Sequence, residues 1–421
     1  MDLLDHIASV LKGFDIEPKP LDRLLDSYFR RHRGLSSTER RLVADVAFGV
    51  ARWRRRLDGW LSLSSVRRPD HRLRALCYML WQRSAETRSL DLDAISAEAN
   101  ISCSFDNLSA AGFPGGDAGF YSFPDFFWQM LVRSYGGEGA RQIAERLNAP
   151  ARPVLRANSL KADRGCVLKM LAGDGVSGEA TIRSPYGIAL DRRVDLSALS
   201  AYRSGAVEVQ DEGSQLAVIA ADPRPGEMVF DACAGAGGKG LMMAMLMRGS
   251  GRIVASDTVG VKLKELGRRA MRAGASMIEV LEHKELRRSG LKGKFDVVFV
   301  DAPCSGTGTL RRSPDLKWRI DESGIREGAE RQRLLISEYA AWVRPGGRLI
   351  YATCSILPEE NERVVEWFID REGFRANDVG EILEAGGISS DGIVTDKGYL
   401  KTDPRYGDWD CLFAASLVKS S

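Results

Sequence analysis

The run Met228-Val229-Phe230-Asp231-Ala232-Cys233-Ala234-Gly235-Ala236-Gly237-Gly238-Lys239 decides the reading of this chain. A short apolar segment that stops at an acid and passes into a glycine-rich turn reads as a β-strand handing over to a helix. At that helix's N-terminus the backbone can approach a ligand closely. Further apolar runs follow at residues 252–257, 278–281, 295–301 and 347–353, each ending near a polar or small residue and separated by helix-length segments. Alternation of this kind builds a doubly wound parallel sheet, an α/β fold that binds ligands at the carboxyl ends of its strands. The turn spacing is not G-x-G-x-x-G, and G-K-[ST] is absent, so neither a dinucleotide loop nor a nucleoside-triphosphate loop is indicated. Asp257, ending the second run, can accept hydrogen bonds from a ribose hydroxyl pair, which points to an adenosine-containing ligand; the structural alternative is a helix cap.

The seven cysteines are odd in number and widely spaced, with no C-x-x-C pair and only four histidines in the chain. Neither a disulfide scaffold nor a metal site is expected, and reduced thiols in a cytoplasm follow. Cys77, Cys103, Cys166, Cys233 and Cys411 read as inert small hydrophobes. Cys304 and Cys354 differ by position. The fourth run ends in Asp301-Ala302-Pro303-Cys304-Ser305-Gly306-Thr307-Gly308 and the fifth in Tyr351-Ala352-Thr353-Cys354-Ser355, which puts two thiols at adjacent strand ends. Such a pair suits methylation of a weakly nucleophilic ring carbon. A thiolate adding to carbon 6 of cytosine makes carbon 5 an enamine carbon, and a base must then remove the carbon 5 proton before the thiolate can leave.

Outward from this core, 421 residues suggest two or three domains. The chain is 44% hydrophobic and 28% charged, and no apolar run approaches the roughly 20 residues of a membrane span. The first residues lack a basic segment before an apolar core, so neither secretion nor membrane insertion is expected. Net charge is only +3, yet Arg30, Arg31, Arg33, Arg40, Arg41, Arg52, Arg54, Arg55 and Arg56 crowd one stretch. An anionic polymer would recognise that cluster, and a solvated helix face is the competing explanation. Ser36-Ser37-Thr38-Glu39 fits a capping box, and Leu42, Val46 and Val50 at four-residue spacing predict an amphipathic helix behind it. The first third reads as helical, residues 110–123 as a linker, and residues 151–204 as a small mixed α and β region.

Several of these pieces occur together in one known family. The chain resembles the Sun or RsmB-type bacterial RNA 5-methylcytosine methyltransferases, related to the eukaryotic Nop and Sun-domain enzymes. The resemblance rests on Arg156-Ala157-Asn158-Ser159-Leu160-Lys161, Val209 to Gln215, the glycine loop, Asp301 to Gly308 with Arg311 to Trp318, and Thr353-Cys354-Ser355 followed by Glu360-Asn361-Glu362. It implies a Rossmann-like class I methyltransferase domain that uses S-adenosyl-L-methionine. Cys354 would be the nucleophile and Cys304 would assist product release. Asp301 and Lys239 would hold the cytosine ring and stabilise the adduct. The cofactor would lie along Cys233, Ala234, Gly235, Ala236, Gly237, Gly238 and Lys239, with Asp257 on the ribose, and with Asp301 and Glu282 as further contacts. Ala236 stands where the family commonly has proline, and Gly240 where it has threonine. Residues 406–415 resemble the closing strand, with Trp409-Asp410-Cys411 where glycine and aromatics are usual.

Residues 35–58 also resemble a NusB-like RNA-binding domain. The resulting expectation is a helical NusB-like domain over 1–135, a small α+β RNA-contacting region over 136–205, and the methyltransferase domain over 206–421. Arg52, Arg54, Arg55, Arg56, Arg156, Asn158 and Lys161 are the expected RNA contacts, holding phosphates without reading sequence. The expected partner is ribosomal RNA, small subunit favoured, met by a monomer with no metal and no membrane. An amino-group methyltransferase would show an aromatic after a proline pair, and Pro303-Cys304 argues against it. A DNA cytosine methyltransferase would attack with Cys304 and leave Cys354 without a task. A non-catalytic assembly factor would have no need of both cysteines, Asp301 and Lys239.

Overall fold

The computed structural model describes residues 2–17, 19–64, 66, 68–82 and 110–420. Cys103 lies outside the described residues. The chain forms two compact units, Met1–Pro150 with Thr309–Glu322, and Ala151–Gly308 with Ser323–Ser421.

The first unit is helical, with its main helices at Leu3–Ile16, Leu21–Arg31, Ser37–Leu63, His71–Gln82 and Asp125–Asn148. The capping box at Ser36 forms as predicted: Ser36 Oγ accepts from the Glu39 amide at 3.2 Å, and the Glu39 carboxylate accepts from the Ser36 amide at 2.7 Å. The two bonds satisfy donors that every helix start leaves open. Leu42, Val46 and Val50 are buried with Val43 and Ala47, so the four-residue spacing marks the core-facing stripe. The expected linker at 110–123 instead holds a 3₁₀ turn, Ala110–Gly112, and a short helix, Gly116–Phe120. Phe113 packs into the helical core, which gives those residues an apolar reason to be ordered.

The domain boundary expected at 135/136 falls on the kink at Gly136 inside Asp125–Asn148, whereas the break between compact units comes after Pro150. Leu131, Ile143, Ala144 and Leu147 are all buried, which ties both halves of the kinked helix into packing.

In the second unit, β1 (Val154–Ala157), β2 (Gly178–Ala180), β3 (Gly187–Leu190) and β4 (Val207–Val209) form an antiparallel sheet in the order β2-β3-β1-β4. The small region therefore runs past the expected 205 limit, because β4 pairs with β1. The large sheet contains β5 (Met228–Asp231), β6 (Arg252–Ala255), β7 (Ile278–Val280), β8 (Phe295–Asp301), β9 (Val343–Thr353), β10 (Phe374–Asn377), β11 (Leu400–Lys401) and β12 (Phe413–Lys419). Its order is β10-β12-β9-β8-β5-β6-β7, with β11 on β12. β5 to β9 pair in parallel and β12 runs antiparallel to β9. The closing strand begins at Phe413, seven residues after Tyr406, because Trp409 folds inward instead, buried with Nε1 donating to the Asp403 carbonyl at 2.9 Å.

The runs recognised in the sequence are thus the five parallel strands. Their central residues, such as Val229, Phe230, Ile253, Val254, Val297 to Val300 and Leu349 to Ala352, are apolar and buried because helices cover both faces of a parallel sheet. Strand order reverses at β5, flanked by β6 on one side and β8 on the other, which opens the crevice where such sheets bind ligands. No described helix is long and apolar enough to cross a membrane.

Candidate active site

Asp231 ends β5, and Gly237 then takes φ +87° to cap the helix Gly238–Leu246. A side chain at Gly237 would be strained there, and its Cβ would stand 2.7 Å from Leu266. Two guanidinium groups brace the loop: Arg269 donates to the Ala236 carbonyl at 2.8 Å and Arg156 to the Gly238 carbonyl at 3.0 Å. Asp257 Oδ2 accepts from the Gly235 amide at 2.9 Å and Oδ1 from the Val259 amide at 2.8 Å. Asp257 is therefore more than a turn residue; it fixes the loop from the β6 end and keeps lone pairs for a hydroxyl pair.

The loop is a cradle that only glycine fits at Gly237, and behind it Asp231 is buried with neither carboxylate oxygen hydrogen-bonded. A close-lying backbone, acids at three strand ends and a buried carboxyl group with no cation beside it suit a ligand with a ribose and a positive charge. The residues present fit S-adenosylmethionine. Glu282 is exposed at the N-terminus of the short helix His283–Arg288, where it forms a capping box with Glu285, its amide donating to that carboxylate at 2.9 Å.

At the neighbouring strand ends, Cys304 Sγ and Cys354 Sγ stand 3.4 Å apart, both half-buried. The hydrogen bond to Cys354, followed by burial and the charges of Cys354 and Glu360, pushes the Cys304 thiol well above its ordinary value. Cys304 is therefore the thiol of the pair that holds on to its proton. Beside them Lys239 Nζ is 2.5 Å from Asp301 Oδ2. Burial pulls Lys239 down, but Asp301 first, then Cys354 and Asp231, lift it on balance above its ordinary value. A permanent cation thus faces the Cys354 sulfur.

Beneath the thiols lies a buried polar scaffold that sequence reasoning left without a role. Glu360 accepts from the Ser305 amide at 2.8 Å and from Gln332 Nε2 at 3.0 Å, while Gln332 also donates to the Pro303 carbonyl at 2.9 Å. Asn361 donates to the Ser355 carbonyl at 2.8 Å and accepts from Thr353. Gly308 donates to the Cys354 carbonyl at 2.9 Å, and a Cβ on Gly308 would meet that oxygen at 2.8 Å. These bonds fasten the Cys304 loop to the Cys354 loop. Their signal was present in Glu360-Asn361, two polar residues quoted above for resemblance alone.

The structure separates the expected RNA contacts into two groups. Arg156 and Asn158 are buried; Arg156 braces the loop, and Asn158 donates to the Gly205 and Ala273 carbonyls at 2.8 and 2.9 Å. In the helical unit Arg52 is buried, donating to the Leu147, Leu310 and Arg311 carbonyls at 3.5, 3.5 and 3.0 Å. Arg56 lies against Trp53, Trp60, Trp81 and Phe120, 3.9 Å from the last ring's centre. For Arg52, Arg156 and Asn158 the expectation of phosphate contact gives way to internal hydrogen bonding, while Arg56 is half-buried against its aromatic rings. Arg54 pairs with Asp15 at 2.9 Å and Arg55 with Asp125 at 2.7 Å, both partly exposed, and Lys161 is exposed.

Among the other cysteines, Cys77 and Cys411 are buried and Cys233 is half-buried, its thiol pushed up to about 12 mainly by burial. Cys166 departs from the buried reading: it is exposed in the first turn of Arg164–Gly173, beside Asp163.

Comparison with known proteins gives two family matches. Residues 218–418 match the 16S rRNA methyltransferase RsmB/F model, and residues 123–197 match the ferredoxin-like domain of RsmF/B-like methyltransferases. A probable ribosomal RNA small subunit methyltransferase B of Synechocystis is 28% identical over 98% of this chain and 98% of its own. A 28S rRNA (cytosine-C(5))-methyltransferase of mouse is 32% identical over 61% of this chain and 33% of its own. The crystal structure of PH0851 superposes with a TM-score of 0.78 at 25% identity, covering 99% of this chain and 98% of that one.

Proposed function

We propose that this chain, which belongs to the RsmB/F family of RNA methyltransferases, methylates carbon 5 of a cytosine in ribosomal RNA through a covalent bond to Cys354. The observation that carries the reading is the pair of thiols 3.4 Å apart at adjacent strand ends, facing a lysine–aspartate pair. S-adenosylmethionine, held by the loop Cys233 to Lys239 and by Asp257, supplies an electrophilic methyl group when bound.

This chain's own residues supply the rest. The Cys354 thiolate, favoured by the Lys239 cation and by the Cys304 S–H, forms a bond to carbon 6 of the cytosine. Electron density moves to carbon 5, and Asp301 with Lys239 holds the ring's polar edge as charge shifts. Once Cys354 is a thioether it no longer presses charge on Cys304. The hydrogen bond to a Cys354 anion, the largest cause of that thiol's raised value, is then gone, and the Cys304 S–H can pass its proton to solvent. Cys304 is thereby suited to take the carbon 5 proton, and the carbon 6–sulfur bond breaks to return Cys354 as thiolate. Attack on carbon 6 needs access to the ring face, so the target cytosine is single-stranded or flipped out. Lys161 in one unit, and Arg54 and Arg55 in the other, are separate candidate phosphate contacts. The chemistry requires reduced thiols, which supports a cytoplasmic setting, and the site lies within one chain, which supports a monomer.

The test is direct. The protein is incubated with ribosomal RNA and cofactor carrying a labelled methyl group, and nucleosides are separated by mass spectrometry. Label in 5-methylcytidine is the expected result; label on an exocyclic nitrogen, or none, overturns it.

A further inference from the structure

Three acids end the strands around the glycine loop, and each is treated differently. Asp301 is matched by the Lys239 ammonium at 2.5 Å. Asp257 is matched by two backbone amides. Asp231 is matched by no cation and no side-chain donor: it is 1% exposed, neither carboxylate oxygen has a well-formed hydrogen bond, and only the Gly240 amide lies toward it. Buried carboxylates are almost always paired or bonded, so an orphan beneath a ligand loop calls for an explanation. Gly240 contributes to the orphaning. A Cβ there would stand 2.9 Å from Asp231 Oδ2, so a residue with a hydroxyl at that position would meet the carboxyl group once that group shifted slightly, whereas glycine offers it no side-chain donor.

We infer that Asp231 is the charge-sensing acid of the cofactor pocket: it shares its site with a proton in the free protein, ionises fully when the sulfonium-bearing cofactor binds, and so favours S-adenosylmethionine over its neutral thioether product. The inference rests on the functional reading above. The groups facing Asp231 are Asp301 from β8, Asp257 from the end of β6, Lys239 from the helix, and Cys233 in the loop. Burial, then Asp301, push its carboxyl up to about 7; Asp257 adds to the rise, while Lys239 and the Gly240 amide oppose it. Lys239 is already committed to Asp301, so the protein itself has no cation left here for a second carboxylate. A ligand bringing one net positive charge supplies it. The O–H bond of Asp231 then breaks and the proton passes to solvent. The thioether product carries no such charge, so the carboxyl takes its proton back and product affinity gains nothing from it.

The sign of the pH dependence follows. The acid's value is high in the free protein and lowered in the complex, so affinity for S-adenosylmethionine rises as pH rises through the free value and levels off above it. From about pH 6 to about pH 7.5 the gain is up to about eightfold, while affinity for S-adenosylhomocysteine stays flat.

The experiment is titration calorimetry of the full chain with each of these two compounds. Buffers of different ionisation heat are used, so that protons released per ligand are counted directly. The expected result near pH 7 is release of roughly half a proton with S-adenosylmethionine and none with S-adenosylhomocysteine. Asp231→Asn, similar in size, should bind without release and lose the pH dependence. Gly240→Ser, offering a hydroxyl to the carboxylate, should reduce the release while keeping the cofactor bound. Equal release with both compounds, or unchanged release in Asp231→Asn, overturns the inference and leaves the functional reading standing. Failure of either compound to bind overturns both.

Discussion

Two lysines divide the molecule's handling of charge. Lys317, in the helical unit, is buried with no acid beside it among the described residues, its ammonium donating to the Arg52 and Ser122 carbonyls at 2.8 Å and to Asn148 Oδ1 at 3.0 Å. Burial, then Arg52, hold it well below its ordinary value. Lys239, at the start of the helix that follows β5, is mostly buried and paired with Asp301, and the groups around it hold it above its ordinary value. Lys317 and Arg52 tie off carbonyls that the segment Thr309–Glu322 and its neighbours would otherwise bury unbonded. Lys239 instead faces groups whose charge must change in a reaction. A charge density read from sequence says nothing about which of these a residue does; the partners decide it.

The largest effect expected on the reactive side comes from the cysteines. Cys354→Ala should lower methylation on the order of 10⁴-fold or more and give no RNA adduct, as loss of a nucleophile does elsewhere. Cys304→Ala should still attack but release poorly, so a protein–RNA adduct should survive a denaturing gel. An adduct from Cys354→Ala, absent with Cys304→Ala, would reverse the assignment.

Next comes the lysine comparison itself. Lys239→Met should cut the methylation rate on the order of 10²- to 10³-fold with a melting temperature close to that of the parent. Lys317→Met, which leaves three acceptors buried without a donor, should cost about 2–4 kcal/mol of stability in denaturant unfolding. If Lys317→Met were inactive at full stability, the distinction between the two lysines would fail.

Arg52→Met should likewise destabilise the helical unit by about 2–4 kcal/mol, since three carbonyls lose a charged donor. The salt slope of RNA binding should not change. Smallest of all, Arg54→Gln and Arg55→Gln should each change stability by about 1 kcal/mol or less, because partly exposed ion pairs contribute little. Each should flatten the salt dependence of RNA binding by about one unit of slope where it meets a phosphate. An unchanged slope would make both purely structural.

The sequence by itself determined the parallel strands, the glycine loop after Asp231, the capping box at Ser36 and the stripe Leu42, Val46, Val50. These are local: periodicity, a turn that needs glycine, and caps four residues across are written in neighbouring positions. It also placed Cys304 and Cys354 at strand ends, though fifty residues apart in the chain. Only the tertiary structure brought the two sulfurs within 3.4 Å, left Asp231 without a side-chain donor, and turned Arg52, Arg56, Arg156 and Asn158 inward. Arginine and asparagine look solvated in sequence because they are polar. Whether they meet water or a distant carbonyl depends on chain segments that fold against them: Arg52 finds the Arg311 carbonyl 259 positions away, and no local pattern encodes that distance.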